Sequence, residues 1–244
     1  MRCLVIADIH GNLPALEAVL EEADSFDEVW CLGDVVGYGP EPNECVTRLR
    51  RLPHRTVAGN HDFAAVGMVA TSEFNPLARQ AAQWTAERLS SENREFLEGL
   101  PLQATVGEYT LVHGSLRSAI WEYVDNARTA LENLLNQPTR YCLVGHTHVP
   151  TSFREVTGIL RRARERRLSG DRASFRLDAA RSILNPGSVG QPRDGDPRAS
   201  YMLLDPDSGA GEVRRVEYPI AETQRRILDA GLPERNALRL AQGR

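Results

Sequence analysis

The stretch RCLVIADIHGNLPALEAVLEEA, residues 2–23, changes period at its middle. Its first part is an unbroken β-rich apolar run, the pattern of a strand buried on both faces. Its second part sets Leu13, Leu16, Val19 and Leu20 at helical spacing, with Asn12 placed to cap the helix. A strand feeding directly into a helix is the repeating unit of a parallel sheet, and here it recurs. EVWCLGD (28–34) predicts a second strand, and PNECVTRLRRL (42–52) a second helix with Pro42 in its first turn, where a missing N–H is harmless. RTVAGN (55–60) predicts a third strand, and two further helices are expected within 75–99, the second closed by Gly99. The alternation argues for an α/β protein with a mainly parallel sheet covered on both faces.

Beyond residue 100 the elements shorten. LQATVGEYTLVHG (102–114) reads as a hairpin turning at Gly107, followed by a helix at 125–137 and the strand YCLVGHTH (141–148). TSFREV, ASFRLD, SILNPG, SYMLLD and EVRRVEY are further strands, with DPDSGAG (205–211) as a turn between the last two. A second, more antiparallel sheet is expected here. RRARERR (161–167) is the one dense basic run and reads as a solvated turn or strand edge. AETQRRILDAG predicts a terminal helix starting near 219. No linker or low-complexity stretch divides the chain, so residues 1–244 are expected to form one domain.

The net charge of −4 supplies no general field to gather a long nucleic acid or an anionic membrane. An anionic substrate must therefore be held locally. The 29 basic residues are all arginine. Cys3, Cys31, Cys45 and Cys142 show no C-x-x-C spacing, and three lie in apolar strand-like runs, which suits buried thiols in a reducing compartment. The first residues lack the length and cleavage site of a signal peptide, and no apolar run approaches the ~20 residues needed to span a bilayer. The cytoplasm is the expected location.

Function is legible where the strands stop. LVIADIH, VWCLGD, TVAGNHD, TLVHGS and CLVGHTH each end in a small polar cluster, which together supply Asp8, His10, Asp34, Asn60, His61, Asp62, His113, His146 and His148. In an open α/β sheet the carboxyl ends of neighbouring parallel strands line one crevice, so the five clusters are expected to converge. Residues two apart on an extended segment share a side, which would present Asp8 with His10, and His146 with His148, as pairs. Imidazoles and carboxylates together are the donor set for manganese, iron or zinc. Singly, D-x-H or G-D is a common turn and V-H-G a common core histidine. Jointly they resist chance, because five of the six histidines fall in the clusters and only His54 lies outside.

The ordered set D-x-H, G-D, G-N-H-D, V-H-G and G-H-T-H resembles the calcineurin-like metallophosphoesterase superfamily, and NPGSVGQPRDGDPRASYMLLD (185–205) is similar to the end of the core in its small bacterial members. The resemblance implies two packed mixed β-sheets flanked by helices, a four-layer α/β/β/α sandwich. It also implies two divalent metal ions per chain, manganese first, with iron or zinc as alternatives. By position, Asp8, His10, Asp34 and His148 would hold one metal, and Asp34, Asn60, His113 and His146 the other. The implied activity is hydrolysis of a small, nucleotide-like phosphodiester or phosphomonoester by a metal-bridging hydroxide. His61, outside the ligand set, would bind a phosphate oxygen or protonate the leaving group, with Asp62 beside it as a supporting catalytic residue. Asn60 would also face substrate. Tyr38, in GYGPEPNE, and Arg193, in QPRDG, are candidates for touching substrate.

The chain departs from the phosphoprotein phosphatases of that superfamily. It reads GDVVGYG and GNHD where they carry G-D-x-V-D-R-G and G-N-H-E, so the arginine that forks a phosphate is missing. A nuclease and a non-catalytic scaffold of the same fold are the alternatives. The acidic balance weighs against the first, and the intact ligand set against the second.

Overall fold

A computed structural model describes residues 1–244. Strand β1 (Cys3–Ile6) leads to helix α1 (Leu13–Glu22), β2 (Glu28–Cys31) to α2 (Pro42–Arg50), and β3 (His54–Thr56) to α3 (Asn60–Val66). Asn12 caps α1 by accepting the Ala15 N–H, and Pro42 opens α2. Then come α4 (Pro76–Arg88), α5 (Ser91–Glu98), the hairpin of β4 (Gln103–Val106) and β5 (Tyr109–Val112), α6 (Ala127–Asn136) and β6 (Tyr141–Leu143). The remainder is β7 (Thr151–Val156), β8 (Arg162–Arg167), β9 (Arg172–Arg176), β10 (Ser182–Asn185), β11 (Ala199–Asp205), β12 (Ala210–Val216), α7 (Ile220–Asp229) and α8 (Glu234–Leu238).

The strands build two mixed six-stranded sheets, ordered β3-β2-β1-β11-β12-β9 and β4-β5-β6-β10-β7-β8. The first sheet runs parallel through β3, β2 and β1 and antiparallel beyond. In the second, β5, β6 and β10 are parallel to one another. Alternation along each strand fixes the layers. Leu4 and Ile6 of β1 pack with Leu16 and Val19 of α1, whereas Cys3 and Val5 pack with Tyr109, Leu111 and Leu143 of the other sheet. Ile183 and Cys142 face Ala130 and Leu134 of α6. Helices, sheet, sheet and helix are therefore stacked in that order.

Three expectations need correction. The first sheet is covered by helices on one face only, because its other face is buried against the second sheet. The second sheet is built wholly from strands beyond residue 100, as expected, but β11, β12 and β9 leave it to extend the sheet begun by β1, and it is no more antiparallel than the first. A continuous apolar strand reports two buried faces but not what buries them. The helix expected near 219 is α7, but it is not terminal. The chain continues through α8 and a 3-10 turn at Arg239–Gln242, where Ala237 and Leu240 pack with Tyr38, Phe74 and Ala78. RRARERR forms β8, the edge strand of the second sheet, with its arginines largely exposed. All four cysteines are buried and unpaired.

Candidate metal centre

The strand ends converge, by a different local geometry from that expected. β1 stops at Ile6 and β6 at Leu143, so neither D-x-H nor H-x-H lies on extended chain. Asp8, His10, Asp34, His146 and His148 have φ between 51° and 64°, in the left-handed region, as does Tyr38 at 57°. Only one other non-glycine residue, Asp24, has a positive φ. Such a conformation costs an L-residue roughly 1–2 kcal/mol, so neighbours must hold it. On one side Asp8, His10 and Gly11 donate to the carbonyls of Gly33, Asp34 and Val35. On the other, Val189 and Gly190 donate to the carbonyls of Ala7 and Asp8. The pairing of Asp8 with His10 thus comes from two consecutive turns, and the extended-strand argument for it was incorrect.

The histidines are aimed by backbone. The Nδ1–H groups of His10, His113 and His148 donate to the carbonyls of Val36 (3.1 Å), Leu32 (2.8 Å) and Gln191 (2.6 Å). A carbonyl only accepts, so Nδ1 carries a proton, and in the neutral ring Nε2 presents its lone pair inward. His10 Nε2 then lies 3.2 Å from His148 Nε2, which in turn is 3.3 Å from Asp8 Oδ1. Asp8 Oδ1 is buried and has no hydrogen-bond partner. On the other side His113 Nε2 lies 3.1 Å from His146 Nδ1 and 3.2 Å from Asn60 Oδ1. Asp34 Oδ2 stands between the two groups, 3.7 Å from His10 Nε2 and 3.3 Å from His113 Nε2. In the first group lone pairs and the unpartnered Asp8 Oδ1 face one another, an arrangement that a cation would relieve, and in the second Asp34 draws positive charge to the same place. The donor chemistry fits divalent transition metals.

Burial sets the charge states. It drives His10 and His148 well below the ordinary imidazole range, His61 to about 4 and His146 to about 3, so these rings are neutral donors. It also pushes Asp8 up to about 7. Burial opposes charge on Asp34 and His113 as well, but each answers the other. Asp34 is held below the usual carboxylate range chiefly by His113, and His113 is raised to about 9 by Asp34.

His61 donates its backbone N–H to Asp34 Oδ1 at 2.8 Å, and its side chain falls within the reach of His10 and Asp34. Its Nδ1 packs against Gly37, where an added Cβ would meet it at 2.5 Å, and finds no partner. Nε2 is left as the nitrogen that meets a ligand. Asp62 makes no hydrogen bond to His61. Its carboxylate accepts the N–H groups of Asp34 (2.8 Å), Gly59 (2.9 Å) and Val36 (3.1 Å), so it holds the turn carrying Asp34. Gly59 permits that approach, since any Cβ there would overlap the Asp34 carboxylate.

A cleft of about 170 Å³ opens over the centre, lined by Asp34, Asn60, His61, His146 and His148 together with Tyr38 and Arg193. Tyr38 packs against His61 with ring centroids 4.4 Å apart. Arg193 donates to Gln191 Oε1 at 2.9 Å, and its Nε is buried without a partner. Sequence reasoning missed the aromatic walls, Phe74, Trp121 and Tyr123. Tyr123 stacks on His146 at 4.0 Å. Their only signal was aromatic residues in loops near the motifs.

Known proteins share this plan. A family model described as the calcineurin-like phosphoesterase superfamily domain matches residues 1–209. A metallophosphoesterase from Sphaerobacter thermophilus, solved by crystallography, superposes with a TM-score of 0.91 at 48% identity, covering 100% of both chains. An uncharacterized protein of Methanocaldococcus jannaschii is 36% identical across 98% of this chain and 97% of its own length. Phosphodiesterase YfcE of Escherichia coli is 30% identical across 85% of this chain and 89% of its own. With its strand-end donors gathered between two sheets and the family model spanning most of its length, the chain belongs to the calcineurin-like phosphoesterase superfamily.

Proposed function

We propose that the protein is a dinuclear metal-dependent phosphoesterase acting on a small phosphodiester or phosphomonoester. The observation that carries this is the position of Asp34 Oδ2 between two donor groups, one with Asp8, His10 and His148 and the other with Asn60, His113 and His146. Asp34 would be shared by both ions, with manganese as the first candidate and iron or zinc as alternatives. When bound, a pair of such ions acidifies a water and neutralises charge on phosphoryl oxygens.

The protein's own part is orientation and charge. Carbonyls of Val36, Leu32 and Gln191 lock three imidazoles, so little reorganisation is needed when a ligand arrives. Nε2 of His61 donates to a phosphate oxygen or passes a proton to the departing oxygen. Arg193 neutralises phosphate charge at the rim, and Tyr38 packs against the ester group. Asn60 serves both metal and substrate. Asp62 keeps Asp34 and Val36 in place and has no part in proton transfer. The small cleft supports a compact scissile group, and four unpaired buried thiols suit a cytoplasmic setting.

Turnover of bis(4-nitrophenyl) phosphate with manganese, with elemental analysis of the same preparation, tests the reading. Two metals per chain and activity abolished by a chelator are expected. A fully active protein with no metal, or with one ion remote from Asp34, would overturn it.

A further inference from the structure

A second cavity, of about 950 Å³, lies beside the metal cleft. Its walls are Tyr38, the start of α4 at Asn75, Pro76 and Leu77, and the C-terminal segment between Glu234 and Arg244. Tyr38 and Asn75 also line the metal cleft, so the two spaces share a wall. The Tyr38 ring touches His61, and the guanidinium carbons of Arg193 and Arg239 each lie 5.9 Å from its centroid.

Charge at this wall is unbalanced. Arg215 and Arg226 pair with Asp194 and Glu41, but Arg193, Arg235, Arg239 and Arg244 have no aspartate or glutamate partner. Arg239 donates to the main-chain oxygen of Arg244, and Arg193 donates to the side-chain oxygen of Gln191. Two donors nearby lack any acceptor: Nε of Arg193, and Nδ2 of Asn236, a residue that lines the cavity and is 1% exposed. The acids lining the two spaces are Glu234 in the cavity and Asp34 and Glu73 in the metal cleft. Burial, with the charges of Arg193 and Arg235, lowers Arg239 to about 10. Guanidiniums that outnumber the carboxylates around them match phosphate oxygens. The segment lies beyond residues 1–209, the part matched by the family model.

We propose that this cavity is a distal anion subsite, which binds a second phosphate of a nucleotide-sized substrate whose scissile phosphoester occupies the metal cleft. The proposal rests on the metal cleft being the hydrolytic centre. Its volume is that of a pocket for a nucleotide-sized ligand, and the arginines select substrates that carry an additional phosphate.

Two esters with one leaving group test it: thymidine 5′-(4-nitrophenyl phosphate) and its 3′-phosphorylated counterpart. With manganese, the 3′-phosphate should lower KM, and Arg235→Gln with Arg239→Gln should raise that KM about 10-fold or more, the scale of one charged contact. The kinetics of the ester lacking the 3′-phosphate should not change, and Arg239→Lys should restore part of the loss. Equal effects on both esters, or none, would overturn the subsite. If the intact protein cleaves neither ester, the proposed activity fails by itself. Calorimetry of thymidine 3′,5′-bisphosphate against thymidine 5′-phosphate on metal-free protein then decides the subsite. Binding of the bisphosphate weakened about 10-fold in the double variant supports it, and unchanged binding overturns it.

Discussion

The floor of the cleft and its C-terminal wall are built on opposite terms. The floor is made of buried residues, five of them in left-handed backbone conformation, each tied by hydrogen bonds to segments distant in sequence. The wall is a five-residue helix and a 3-10 turn, with Arg235 and Arg244 exposed. Strained, dehydrated geometry is kept where atoms must be held within fractions of an ångström. Long, charged, adaptable side chains line the proposed anion subsite. On the proposed reading, reaction and selection fall to different parts of the chain.

The comparison breaks hardest at Asp34. Asp34→Asn removes charge from both donor groups, so activity should fall below detection and metal content should drop at both positions, measured by elemental analysis. Asn60→Ala, which touches one group, should cost less. Equal, mild losses would mean that Asp34 is not shared. His61→Gln comes next. It should lower turnover by ~10²–10⁴-fold with two metals retained, and most for esters with poor leaving groups. A variant that also loses metal would make His61 a ligand.

Asp62→Asn should cost about 10–100-fold in activity, the usual scale for a residue that orients a ligand. The new amide would set N–H against the backbone N–H groups that now donate to the carboxylate, costing about 1–3 kcal/mol of stability in thermal unfolding. Unchanged metal affinity would argue that the Asp34 turn holds itself. Smallest of all is the basic edge strand. Replacing Arg162, Arg164 and Arg166 of β8 with glutamine should leave kcat/KM within about 2-fold, as for surface positions remote from a site. A larger loss would extend the substrate surface to that strand.

Much of this was legible in order along the chain. Strand, helix and strand through residue 60 followed from periodicity, and the five polar strand ends named the residues that meet at the centre. Asn12, Pro42 and Gly99 marked helix ends correctly because capping is local chemistry. The sheet partners were not legible, since β11 pairs with β1 across almost the whole chain and a strand carries no address for a distant partner. For the same reason the C-terminal wall was missed, because Arg239 and Tyr38 are brought together only by the packing of α7 and α8 over α4.

The sequence alone determined which side chains gather at the centre, because a donor set is a matter of residue type and order. Only the tertiary structure decided how they are aimed. Left-handed turns in place of extended strands, carbonyls fixing three imidazoles, and Asp62 serving backbone rather than His61 all depend on long-range hydrogen bonds. Those bonds form between segments distant in sequence, and their energy is available only once both sheets have packed.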